Sequence, residues 1–265
     1  LKVALTGIKP TGIPHVGNYI GAIRPALSLA ERYEARYFIA DYHALNSIHE
    51  AARLSELSYE VAATWMACGL DPSRTLLYRQ SDVPETFELA TFLMAFTAKG
   101  HMNRAHAYKD AVAKNEEAGR DADAGINMGL YTYPVLMAAD ILLFDTHVVP
   151  VGRDQKQHVE ICADIAGSIN HNYGQDLLVV PEPLIEEEGD VVVGLDGRKM
   201  SKSYDNTIPL FAPPGQLKKL IGRVVTDSKT MEEPKDPETS NDIKHNRLFA
   251  TAQQQAERKR GGDRL

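Results

Sequence analysis

Two rhythms of apolar residues alternate along this chain. Short runs at Lys2–Thr6 (KVALT), Tyr37–Ala40 (YFIA), Thr75–Tyr78 and His147–Val151 have the length and the β-branched or aromatic content of buried strands. Between them, apolar positions recur every three or four residues. Leu54, Leu57, Val61, Trp65 and Cys68 form one such stripe, which predicts a helix from Ala51 to Cys68, stopped by Leu70-Asp71-Pro72. Further helices are predicted over Gly17–Tyr33, Glu85–Thr97, Met137–Phe144 and Gln155–Ile169. Strands alternating with helices predict βαβ units, and so an α/β domain on a parallel sheet. Ligands of such a sheet bind beyond the carboxyl ends of its strands, near the point where strand order reverses.

Three stretches break the rhythm. Lys99–Asp123 is polar and mixed in charge, which reads as helix and loop at the surface. Glu182–Asp190 holds four glutamates and an aspartate, the composition of a solvated acidic linker. After Asp205 the strand signals stop and a helical periodicity takes over, so a second, α-helical piece is expected from about Pro213.

Composition narrows the class. With 265 residues the chain can bury one large core, or one and a small appendage, and 43% hydrophobic with 25% charged residues is ordinary for a soluble globular protein. A net charge of −7 gives no global attraction for nucleic acid, so any RNA contact has to use local basic patches. The run Arg258-Lys259-Arg260 reads as a solvated tail first and an RNA contact second. Cys68 and Cys162 lie in apolar helical contexts without paired spacing, as buried reduced thiols do in a cytoplasmic protein. The first residues form a strand-like run with no leader pattern, and no apolar stretch approaches the ~20 residues that span a bilayer.

Candidate chemistry sits at the strand ends. Thr11-Gly12-Ile13-Pro14-His15-Val16-Gly17-Asn18 places glycines where backbone can approach a nucleotide, then opens a helix whose free N–H groups favour phosphate. His15 and Asn18 can donate to phosphate oxygens. Gly152-Arg153-Asp154-Gln155 follows another predicted strand. Lys199-Met200-Ser201-Lys202-Ser203 sets two ammonium groups and two hydroxyls within five residues, suited to following a polyphosphate as it moves. Taken singly, each segment could be a plain solvated turn. No His/Cys grouping has the spacing of a zinc site, and no resident metal is expected.

Together these segments resemble a known family. HVGN at His15–Asn18 looks like a variant of the HIGH signature, and KMSKS at Lys199–Ser203 stands without change; these are the two ATP-handling signatures of class I aminoacyl-tRNA synthetases. GIKPTGIPHVGNYIGAI (Gly7–Ile23), YPVLMAADILLF (Tyr133–Phe144), VPVGRDQKQHVE (Val149–Glu160) and GLDGRKMSKSYDN (Gly194–Asn206) are similar, nearly word for word, to bacterial tryptophanyl-tRNA synthetases, and the likeness covers about residues 2–230.

The resemblance implies a Rossmann-like catalytic domain over 1–212, then an α-helical region over 213–265 that is an incomplete anticodon-recognition part. It implies activation of L-tryptophan with ATP and transfer to tRNA(Trp), with His15, Asn18, Lys199 and Lys202 carrying the chemistry. Lys9, Pro10, Thr11, Gly17, Asn18, Gly152, Arg153, Asp154 and Lys199–Ser203 (with Met200 and Ser201) would face the nucleotide. Asp140 would accept the indole N–H, with Met137, Gln155, His43, Leu5, Val149 and Val151 around the amino acid. Mg²⁺ would bridge phosphates through water and the nucleotide rather than sit in a protein cage. Lys9 departs from the glutamine usual in bacterial relatives, and its contact is left open. The apolar helix with Phe87, Leu89, Phe92, Leu93 and Phe96 reads as core first and homodimer interface second, since family members dimerise there. A tyrosyl enzyme, a dinucleotide-forming nucleotidyltransferase and a non-catalytic descendant are the rival readings.

Overall fold

Strands β1 (Val3–Ile8), β2 (Glu34–Ile39), β3 (Leu76–Arg79), β4 (Val148–Val151) and β5 (Glu182–Ile185) form one sheet in the order β3-β2-β1-β4-β5, parallel throughout. The computed structural model describes residues 1–185 and 192–225, together with Asn241 and Phe249, but not the side chain of Asp154. β1 pairs with β2 from Val3↔Glu34 to Ile8↔Ile39, and on its other side meets β4 at Ala4↔Val148. The chain therefore builds β1, β2 and β3 in one direction and then crosses back to β4. That reversal between β1 and β4 is the switch point at which α/β sheets bind ligands.

The helices are α1 (Val16–Asn18), α2 (Arg24–Leu29), α3 (Asp41–Ala44), α4 (Ala51–Ala67) and α5 (Glu85–Met94). They continue with α6 (Lys99–Arg104), α7 (His106–Glu117), α8 (Met128–Leu142), α9 (Lys156–Tyr173) and α10 (Pro214–Ile221). The main core lies where α8 and α9 cover the sheet: Leu5, Phe38 and Val149 meet Val135, Ala138 and Ile141 of α8 and Cys162, Ile165 and Ile169 of α9. The α9 residues recur at helical spacing, so one stripe is buried, and Gly174 ends the helix with φ 62°.

Several sequence expectations are revised. The helix expected over Gly17–Tyr33 is α1, a five-residue π turn at Tyr19–Ile23 and α2, because Pro25 has no N–H to give to the preceding turn. The helix expected near Met137 starts at Met128, where the Asn127 side chain accepts from the Leu130 N–H at 2.8 Å, and runs through Pro134. Glu182–Ile185 is an edge strand rather than linker; its partner β4 supplies the order, and an edge tolerates Pro183. The remainder of that acidic segment lies outside the described residues, as do Arg258-Lys259-Arg260 and most of the expected helical region 213–265, of which α10 is described. Cys162 is buried, but Cys68, at the end of α4, is only half-buried; both are free thiols.

Close contacts divide the chain into two units. Unit 1 takes the described residues within Leu1–Ile13 and Ala26–Glu187, and holds the sheet. Unit 2 takes those within Pro14–Pro25 and Glu188–Leu265. It has its own small core of Ile20, Val192, Leu195, Met200 and Ile208.

Candidate active site

In unit 1 buried polar side chains gather at Asp140, a carboxylate with 1% exposure near the end of α8. Such a group is costly to bury unless it is hydrogen-bonded, and here it is. Gln80, in the turn after β3, donates its amide to both carboxylate oxygens at 2.9 and 3.0 Å. His43 of α3 brings Nε2 to 2.9 Å from Oδ2. Burial pushes the Asp140 carboxyl up from its ordinary value, while the His43 and Gln80 contacts pull it partly back. An ionised carboxylate has about four acceptor sites. Three are used, which leaves room for one further donor.

Helical spacing brings more of the predicted residues to this place. Tyr133, Met137 and Asp140 fall at i, i+4 and i+7 on α8, so they share one face. The Tyr133 ring meets His43 edge-on at 5.5 Å. Its hydroxyl lies 2.8 Å from Gln155 Oε1 and 2.9 Å from His158 Nδ1, which joins Gln155 to the group. A cleft of ≈ 210 Å³ opens beside them, lined by Tyr42, His43, Asn46, Gly129, Thr132 and Tyr133. Leu5 and Val149 are core residues of the layer beneath α8, and Met137 and Val151 are half-buried against it. Gln80 and Tyr133 escaped the sequence reading. Tyr133 carried a signal in its spacing from Asp140; Gln80 carried only its position just past a strand end.

Two loops leave the sheet at its switch point. Lys9-Pro10-Thr11 follows β1, with Lys9 and Thr11 exposed and Pro10 buried. Gly152 and Arg153 follow β4 and are exposed. The side chain of Asp154 lies outside the described residues.

Unit 2 brings the HVGN and KMSKS segments together. The Val16 N–H donates to the Ile208 carbonyl and the Leu210 N–H to the Pro14 carbonyl, tying the first motif to the stretch just after the second. Asn18 Oδ1 accepts from the His15 backbone N–H at 3.0 Å and closes the first turn of α1. A Cβ on Gly17 would lie 3.0 Å from the His15 ring, so the glycine lets that ring seat there, whereas Met200 Sδ at 3.5 Å would be an ordinary contact. His15 is buried; burial first, and then the charge of Lys202, lower its pKa to about 4, so its imidazole is neutral at pH 7. Desolvation also lowers the Lys202 ammonium.

The lysine loop is the end of a hairpin. Val193 pairs antiparallel with Lys199, the Met200 N–H reaches the Val192 carbonyl at 2.7 Å, and Gly197 makes the turn with φ 81°. Met200 sinks into the small core and anchors the motif, while Lys199, Lys202 and Ser203 stay exposed. The Ser201 and Ser203 hydroxyls are 2.8 Å apart. Among the described residues no group of three or more His, Cys, Asp or Glu side chains is placed to hold a metal ion.

Comparison with known proteins gives the setting. Residues 2–262 match the family described as tRNA synthetases class I (W and Y). The chain is 57% identical over 256 residues to a tryptophan--tRNA ligase of Pseudomonas aeruginosa, covering 95% of this chain and 57% of that one. It is 52% identical over 259 residues to the Neisseria meningitidis ligase, covering 97% and 77%. Among solved structures, tryptophanyl-tRNA synthetase from Campylobacter jejuni, complexed with ADP and tryptophan, superposes with a TM-score of 0.87 at 45% identity, covering 99% of this chain and 79% of that one. The chain thus spans less than two thirds of the length of several curated relatives. With the two signatures packed in one unit and a buried, hydrogen-bonded carboxylate in the other, the chain belongs to the class I tRNA synthetases for tryptophan and tyrosine.

Proposed function

We propose that this chain activates L-tryptophan with ATP, forming tryptophanyl-adenylate and pyrophosphate, and passes the amino acid to the terminal ribose of tRNA(Trp). The observation that carries the choice of amino acid is Asp140, buried on the same α8 face as Tyr133 and Met137 with acceptor capacity to spare. An indole N–H is donor-only and matches such an acceptor. The phenol of tyrosine is both donor and acceptor and could also donate to this carboxylate, so tyrosine is the competitor against which the assay below is run. The Campylobacter jejuni relative is complexed with tryptophan and ADP, which supports both halves of the reading.

The chemistry asks little acid–base help of the protein. The amino-acid carboxylate is already an anion at neutral pH; its oxygen bonds to the α-phosphorus as the bond to the bridging oxygen breaks, and pyrophosphate leaves with the electron pair. The work is to hold anions together and to stabilise charge on the leaving group. Lys199 and Lys202 have exposed ammonium groups suited to that task. Neutral His15 would donate a hydrogen bond without adding charge, and Asn18 keeps its amide N–H₂ to donate, since its oxygen is used by the turn. Gln155 belongs to the tryptophan side through Tyr133. Lys9–Thr11 and Gly152–Asp154 are assigned to the nucleotide from their places at the ends of β1 and β4. Mg²⁺ enters only with the nucleotide, and no step is routed through it.

The remaining assignments follow from the family. A homodimer would use the neighbourhood of α5, where Leu93 is buried but Phe92 and Met94 are exposed. The division into 1–212 and an anticodon-recognition part from 213 is kept as a proposal, as is a cytoplasmic location; no helix among the described residues is long and apolar enough to cross a membrane. The test is ATP–pyrophosphate exchange with tryptophan, with tyrosine and with no amino acid. Exchange with tryptophan alone is expected. Exchange driven by tyrosine would transfer the chain to the other branch of its family, and exchange with neither would mark a non-catalytic descendant.

A further inference from the structure

Asn206 plays no part in the reaction just described, yet it is 2% exposed and both polar atoms of its side chain are bonded. Its Oδ1 accepts from the Ser201 N–H at 2.8 Å. Its Nδ2 donates to the Lys199 carbonyl at 3.1 Å and to Asp196 Oδ1 at 2.7 Å. The partners fix the orientation of the amide, because a backbone N–H can only donate and a carbonyl can only accept. The Asn206 carbonyl also takes the Leu195 N–H at 2.9 Å. Hence one residue grips the backbone on both sides of Met200 and the base of the hairpin that carries it.

Two neighbours are shaped to this grip. A Cβ on Gly194 would clash with Asn206 Cγ and Nδ2, so a side chain there would displace the amide. Asp196 accepts from Asn206 and from Arg198, and these hydrogen bonds hold its carboxyl down at about 2. Arg198 in turn lies over the Tyr204 ring at 4.4 Å.

We propose that Asn206 is a positioning residue for nucleotide activation: it fixes the Lys199–Ser201 backbone, and through it the directions of the Lys199 and Lys202 ammonium groups. This rests on the proposed reaction, deepening the role given to the lysine loop. It also assigns the Ser201 N–H to Asn206, which leaves the side chains of the loop, and not that amide, to meet the phosphates.

The intact protein tests this with Asn206→Ala and Asp196→Ala, read by exchange kinetics, thermal melting and the rate of tryptic cleavage between Arg198 and Lys202. Asn206→Ala is expected to lower kcat/KM for ATP by about 100-fold while KM for tryptophan changes by less than about 2-fold, since misplaced charged groups cost transition-state stabilisation and leave amino-acid binding alone. Cleavage should quicken. Asp196→Ala removes one of the three side-chain bonds, on a partly exposed turn, and should cost about 5-fold in the same parameter. Asn206→Ala with wild-type ATP kinetics overturns the proposal, and so does a loss shared equally between the two substrates in step with a fall in Tm. Should Asn206→Ala fail to fold, unchanged ATP kinetics in Asp196→Ala overturns it. A wild-type protein without tryptophan-driven exchange removes the reaction instead; tryptic protection then decides whether Asn206 fixes the loop, and protection unchanged in Asn206→Ala rejects it.

Discussion

A buried carboxylate is tolerated only when it is hydrogen-bonded, and Asp140 owes much of that to Gln80. Gln80→Ala should raise KM for tryptophan by about 10-fold with little change for ATP, and should cost about 1–3 kcal/mol of stability by leaving a buried acceptor unsatisfied. Exchange kinetics and denaturant melts measure the two. His15 gives a pH dependence. Its pKa is about 4 in the fold against 6.5 when exposed, so between those values the unfolded chain binds the extra proton. Stability from this group is full above about 6.5 and is lost as pH falls toward about 4; a His15→Asn variant should show a shallower acid limb in Tm over that window. Asp140 tilts the other way: its raised carboxyl favours the protonated fold, so its part of the stability declines as pH rises through the carboxylate range. Asp140 was legible in the sequence because a carboxylate ending an apolar run has to be buried or capped. Gln80 was not, because an amide after a short strand looks like any loop residue.

At the scale of elements, α8 depends on its first turn. Asn127→Ala removes the side-chain acceptor for the Leu130 N–H and should cost about 1 kcal/mol in a denaturant melt. Gly17→Ala acts on α1. The new methyl forces the His15 ring to shift by a few tenths of an ångström, and kcat for exchange should fall about 10-fold with KM for tryptophan held. The central strands were readable because β1 holds the apolar run Val3–Leu5 and β2 the apolar run Tyr37–Ile39. β5 was hidden: Glu-Pro-Leu-Ile has neither stripe nor alternation, and only its pairing with β4 makes it a strand. Pro134 concealed the first half of α8 in the same manner, since proline reads as a break where the surrounding core in fact holds the helix together.

For the molecule as a whole, the order of apolar runs and stripes foretold a parallel sheet, and the text of four motifs foretold the family. The division into units could not be foretold, because it puts Pro14–Pro25 with residues near the lysine loop, far away in sequence, through contacts such as Val16 to Ile208. Trp65, the single tryptophan of the sequence, sits on the other side of that division. It is 1% exposed, packs against Tyr37 at 4.7 Å, and its indole N–H has no partner among the described residues. An indole so shielded emits at short wavelength and resists collisional quenchers, whereas tryptophan free in water emits further to the red. Fluorescence from this protein therefore dates the opening of unit 1 and is blind to unit 2, while its colour stays separable from that of the amino acid it is proposed to bind.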